Sequence, residues 1–195
     1  MRPNDVIDAC HRSHRSLIAA LAHLSDDAFH TRSLLPGYSR GHVVAHLTNK
    51  TDAHVWIFGG PSTGEVRQLH ADGYDADAAA AAGAARPALE LRDDLVKSFG
   101  RLEAAWDALD AGLWDRNATM NAGPRTMAET VAHHLRNVEV HHVDLDIGYR
   151  ASDWPRQFVE GELARRIRAL PDRADHADLL AWLLGRGPAP ELEPW

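Results

Sequence analysis

Apolar residues recur at intervals of three and four over several long stretches of the chain, the spacing that lays one face of a helix against a core. Val6, Ile7, Cys10, Leu17, Leu21 and Leu24 mark a first helix from Pro3 to Leu24, with Pro3 at a position whose missing N–H costs nothing. Pro36-Gly37 signals a turn, after which Ser39 caps a second helix from Arg40 to about Phe58, with Val43, Leu47 and Val55 inward and His42, His46 and Asn49 on the adjacent stripe. Gly59-Gly60-Pro61 ends it. Pro87 opens a third long helix to about Leu109, on which Leu89, Leu91, Leu95, Phe99, Leu102 and Trp106 form the buried side.

The richest stretch is Thr126 to Asp146. Thr126 and Glu129 make a capping box, and Val131, Leu135, Val138, His142 and Leu145 follow as a buried stripe. Beside it runs a polar stripe of His134, Asn137, His141 and Asp144, which needs partners at the edge of a core. Between these helices, the weakly patterned Pro61 to Arg86 ends in an alanine run read as a helical lid or excursion. Ala111 to Arg125, with Gly112, Asn121, Gly123 and Pro124, is a loop with room for a short strand pair. Past Asp146 the pattern predicts a fifth helix, entered through Asp153-Trp154-Pro155 and running to about Leu170. A short sixth runs from Ala177 to Leu184, with a proline-rich tail to Trp195 laid across the bundle. Four long helices with polar groups aimed inward predict an all-α four-helix bundle with additional short C-terminal helices, in one domain spanning 1–195.

Composition narrows the function classes. A chain of 195 residues buries a core without disulfides, and the single cysteine, Cys10, fits a reducing, cytoplasmic setting. There is no apolar run able to span a membrane, and a net charge of −7 with interspersed signs argues against nucleic acid as a partner. The partner expected is a small-molecule substrate, with monomer and homodimer both open. Thirteen histidines raise the question of a metal. Zinc takes histidine and carboxylate ligands, three from the protein at a catalytic site with a fourth position open. Asn137 and His141 stand four apart, and His46 on the second helix is the natural third member, although an amide brings no charge to offset a dication. Glu139, three residues before His142, is the alternative third ligand and points partly to another face. Spacing alone favours hydrogen-bonded core or surface histidines over a metal site, and gives His133, His134 and His142 no role beyond surface or packing. Asp144, about one turn after His141, suits a general base, a carboxylate that holds an imidazole, or a local salt bridge. The ring of Tyr38 either lines a pocket or staples the start of the second helix. No phosphate loop, CxxC pair or nucleophile elbow is present.

Four segments in order, PGYSRGHVVAHL, AAGAARPALELRDDL, LRNVEVHHVDLDIGY and LLGRGPAPELEPW, resemble those of the mycothiol-dependent maleylpyruvate isomerase family, within the DinB-like group of four-helix metalloproteins. The resemblance implies a DinB-like bundle, a divalent metal, usually zinc, and thiol chemistry with mycothiol as cofactor. It places His46 and His141 at the histidine ligands and Asp144 in an HxxDL pattern, where it is the candidate catalytic residue. Two departures stand out: Asn137 occupies the glutamate ligand's position, and the arginine expected before AAGAARPALEL is replaced by alanine and acid. The reading implied is a metal- and mycothiol-dependent isomerase or S-transferase acting on an electrophilic small molecule. The alternatives are a metal-free binding or resistance protein on the same bundle and a metal hydrolase without thiol cofactor.

Overall fold

The computed structural model describes residues 1–70, 73–120 and 123–192, so Asn121 and the end of the tail, 193–195, lie outside the described residues. Two compact units are present, Met1–Trp154 and Pro155–Trp195.

The first unit is built on four long helices: α1 (Asn4–Ala22), α3 (Arg40–Gly59), α5 (Ala88–Ala108) and α6 (Met127–Asp144). Helix α3 packs against α5 and α6, and α1 packs against α6 and α5. Their shared core includes Leu17, Leu21, Val44, Leu47, Leu91, Leu95, Phe99 and Val138, all essentially excluded from solvent. The starts of the two helices that carry the candidate site are fixed locally. Ser39 Oγ accepts from the His42 amide while His42 Nδ1 accepts from the Ser39 amide, and Thr126 and Glu129 repeat this reciprocal arrangement on α6. The stripe expected on α6 is the buried one, with Val131, Leu135, Val138, His142 and Leu145 all inside.

Three details differ from the pattern read along the chain. Leu89 is 64% exposed, because Ala88 and Leu91 take the inward positions of the first turn of α5. On α3, Val55 is only half-buried and the inward face turns through Thr51, His54, Ile57 and Phe58. The turn region before Tyr38 contains a short helix, α2 (Asp26–His30), capped by Ser25 and anchored by Phe29.

The alanine run is a helix, α4 (Ala76–Ala84), capped by Asp75 and laid on α3. Ala80 and Ala84 are its buried residues, and a Cβ on Gly83 would lie 2.5 Å from that of Ala45, so only glycine permits this approach. The strand pair is present as β1 (Asn117–Met120) and β2 (Gly123–Thr126), antiparallel, leading directly into α6.

The second unit contains α7 (Arg156–Ala169) and α8 (His176–Leu183). Glu162 pairs with both Arg165 and Arg166, Asp175 caps α8, and residues 188–192 carry no regular secondary structure.

Candidate functional site

The C-terminal end of α6 is tied to the start of α3 by one cation. Arg40 Nε donates to the carbonyl of Leu145 (2.7 Å) and its terminal nitrogen to that of Asp146 (2.8 Å), satisfying carbonyls left free where the helix ends. The Leu34 amide donates to the carbonyl of Asp144 at 2.8 Å, which brings the loop of Leu35 and Pro36 over the same end. A cavity of about 320 Å³ results, lined by Leu35, Pro36, Tyr38, Val43, His46, Asp77 and His141.

His46 from α3 and His141 from α6 meet there, their rings 4.9 Å apart and crossed at 75°. On the far side of His141, Nδ1 lies 2.8 Å from Asp144 Oδ2. The carboxylate can only accept, so Nδ1 carries the proton and a neutral ring keeps Nε2 as a free acceptor. Burial, then the charge of His141, pushes the His46 pKa down to about 4, so this ring is neutral near pH 7. At the rim, Tyr38 donates its hydroxyl proton to the solvent-exposed Asp77, the first-turn acid of α4, and this bond raises the phenol's pKa.

The expected third ligands are elsewhere. Asn137 does not line the cavity, and its amide nitrogen is turned toward His133, 3.5 Å from Nδ1. Glu139, the alternative third ligand, has both of its oxygens engaged on another face of α6. One accepts from Ser13 of α1 and the other from the Tyr149 hydroxyl (2.5 Å), while Trp154 Nε1 donates to the Glu139 carbonyl (3.1 Å). Burial raises the pKa of that carboxyl, and Tyr149 stacks on His142 at 3.8 Å. Among the described residues no three histidine, cysteine, aspartate or glutamate side chains are placed to hold a metal ion. His46 and His141 would be two ligands of a zinc site, and the charged third one is missing. The donor set therefore does not fit a three-ligand zinc centre.

Sequence reasoning overlooked Asp77, whose only signal was its place in the first turn of an alanine helix, and it overlooked a chain of buried imidazoles. His14 Nδ1 meets Glu103 at 2.7 Å and His14 Nε2 meets His134 Nε2 at 2.8 Å. Next to them, His54 Nδ1 donates to the Lys50 carbonyl (2.7 Å) and its Nε2 lies 3.2 Å from His133. His134 and His133, read as surface or packing residues, are members of this network. Desolvation lowers all four pKa values, that of His54 to about 4 and that of His133 to about 2.

The model of the mycothiol maleylpyruvate isomerase N-terminal domain matches residues 10–146, which include all four bundle helices but the first turns of α1. The chain belongs to this family. Two solved structures share its fold: a mycothiol-dependent maleylpyruvate isomerase (TM-score 0.80) and a histidine-to-alanine mutant of that enzyme (TM-score 0.77). Each is 22% identical to this chain and covers 85% of it and 69% of its own length. No curated protein matches. The all-α bundle that the resemblance implied is thus the observed one, and among the described residues no helix is long and apolar enough to cross a membrane.

Proposed function

We propose that this family member is a mycothiol-dependent enzyme, an isomerase or S-transferase, in which a thiol adds to an electrophilic small molecule in the cavity between α3, α4 and α6. The observation that carries this reading is the His141–Asp144 pair at 2.8 Å facing the neutral His46 across one cavity. A thiol is a weak nucleophile until it loses its proton, and His141 Nε2 is the acceptor positioned to take it. Asp144 acts as a positioning residue, fixing the tautomer and the ring orientation. His46, uncharged, offers an N–H to the oxygen of an activated carbonyl without competing for the thiol proton, a division of labour between two imidazoles in different environments. Leu35, Pro36 and Val43 give the cavity an apolar wall against which the carbon skeleton of the electrophile packs.

The test is thiol-dependent turnover of a small unsaturated carbonyl compound by the purified protein. Loss of a general base costs about 10²- to 10⁴-fold in rate, the range expected for His141→Ala. An unchanged rate in His141→Ala would remove the reading. A second reading, a binding protein on the same bundle, is favoured by Asn137 facing away from the cavity. It predicts saturable ligand binding that requires His46 and His141, with no thiol consumed and no product formed.

A further inference from the structure

Of the described residues lining the cavity, three are apolar, two carry the imidazoles, and two are Tyr38 and Asp77. No arginine or lysine is among them. Lys50 bears on His46 electrostatically, but it is outside the lining and its Nζ is 3.1 Å from His70 Nε2. Among the described residues of the lining, Asp77 is the one carboxylate, and it stands at the exposed rim. The hydrogen bond it accepts from Tyr38 spends the phenol's only proton, so the pair presents acceptors and no donor to whatever enters. Helix α4 holds Asp77 there through Ala80, Ala84 and the Gly83 contact with Ala45.

We propose that Asp77 is a specificity-determining residue that excludes carboxylates, so that the electrophile is an uncharged α,β-unsaturated carbonyl compound bearing a hydrogen-bond donor toward the Tyr38–Asp77 pair. This rests on the thiol-addition reading above and specifies its substrate class. An anionic substrate would bring its charge toward Asp77 with no arginine or lysine among the described residues of the wall to offset it, whereas an amide N–H or hydroxyl finds two ready acceptors. The reaction closes without any oxidant or reductant. The thiolate sulfur bonds to one alkene carbon while the π pair moves to the carbonyl oxygen, near His46. Rotation about the former double bond follows, then return of the pair and departure of the thiolate. Retention of the sulfur with protonation of the other carbon gives the S-adduct instead.

Maleamide and maleate test this, being alike in shape and differing by two negative charges. Isomerisation to the trans compound is followed by NMR with mycothiol present, each rate divided by the uncatalysed thiol rate for the same compound. Wild type is expected to favour maleamide, Asp77→Asn to shrink the preference on the order of tenfold, and Asp77→Lys to reverse it. Binding of succinamide against succinate, measured by calorimetry on His141→Ala, reads the same selectivity without turnover. Equal corrected kcat/KM for the two compounds, or a preference unmoved in Asp77→Asn, overturns the proposal while leaving thiol-dependent turnover standing. An Asp77-dependent preference for succinamide with no turnover of either alkene upholds the charge selection and removes the reaction.

Discussion

At position 137 an amide stands one helical turn before His141, and its consequence is local and measurable. Asn137 puts no charge toward the pair of imidazoles, so purified protein is expected to retain zinc at well below one equivalent by elemental analysis, and Asn137→Glu to raise the retained metal several-fold. Glu139 behaves oppositely. Its carboxyl group is buried against Ser13 and Tyr149, so Glu139→Ala removes two hydrogen bonds to a buried carboxyl, although Ser13 keeps the Ala9 carbonyl and Tyr149 the Asp153 carbonyl as acceptors, and is expected to cost about 1–3 kcal/mol of stability in denaturant unfolding. Metal retention in Asn137→Glu should be indifferent to it. Spacing put His46 and His141 on neighbouring polar stripes of two helices, and it was the family resemblance that made them legible as a pair. Spacing could not say which way Asn137 turns, since a side chain at a helix edge chooses its rotamer from its neighbours on other helices.

Among the elements, α4 matters more than its composition suggests. Alanine runs carry helix propensity and almost no packing information, so the chain pattern showed that a helix was there and nothing about what it rests on. The close contact between Gly83 and Ala45 supplies the answer. Gly83→Val would force α4 away from α3, with about 1–3 kcal/mol of overpacking cost and loss of the Asp77-dependent substrate preference, read in the same maleamide and maleate assay. The short helix α2 was illegible for a different reason: five residues are too few to display a period, and its Ser25 cap is shared by ordinary turns.

For the bundle of residues 1–154 as a whole, the buried imidazole network sets the response to acid. His14, His54, His133 and His134 are neutral in the folded protein and have pKa values below their ordinary value of 6.5. Above pH 6.5 neither folded nor unfolded chain protonates them, and their neutrality costs nothing. As pH falls below 6.5 the unfolded chain binds protons that the native state refuses, so stability drops, for His54 until its folded pKa of about 4 is reached. Each such site contributes a slope of about 1.4 kcal/mol per pH unit in that window. Urea unfolding at a series of pH values should show the fall, and His54→Gln should shallow it by one site's share. Histidine content hinted at buried imidazoles, but a composition count cannot separate a solvated histidine from one locked between helices.

The contact between Gly83 and Ala45 bears on dynamics as well. A helix whose buried side chains are two alanine methyls, tied at its first turn by the Tyr38–Asp77 hydrogen bond, has little apolar area to lose, on the order of 1–2 kcal/mol, when it lifts away. Its amides should therefore exchange with deuterium well before those of α3 beneath it, which makes the part of the cavity that sorts ligands by charge also the part that breathes most readily.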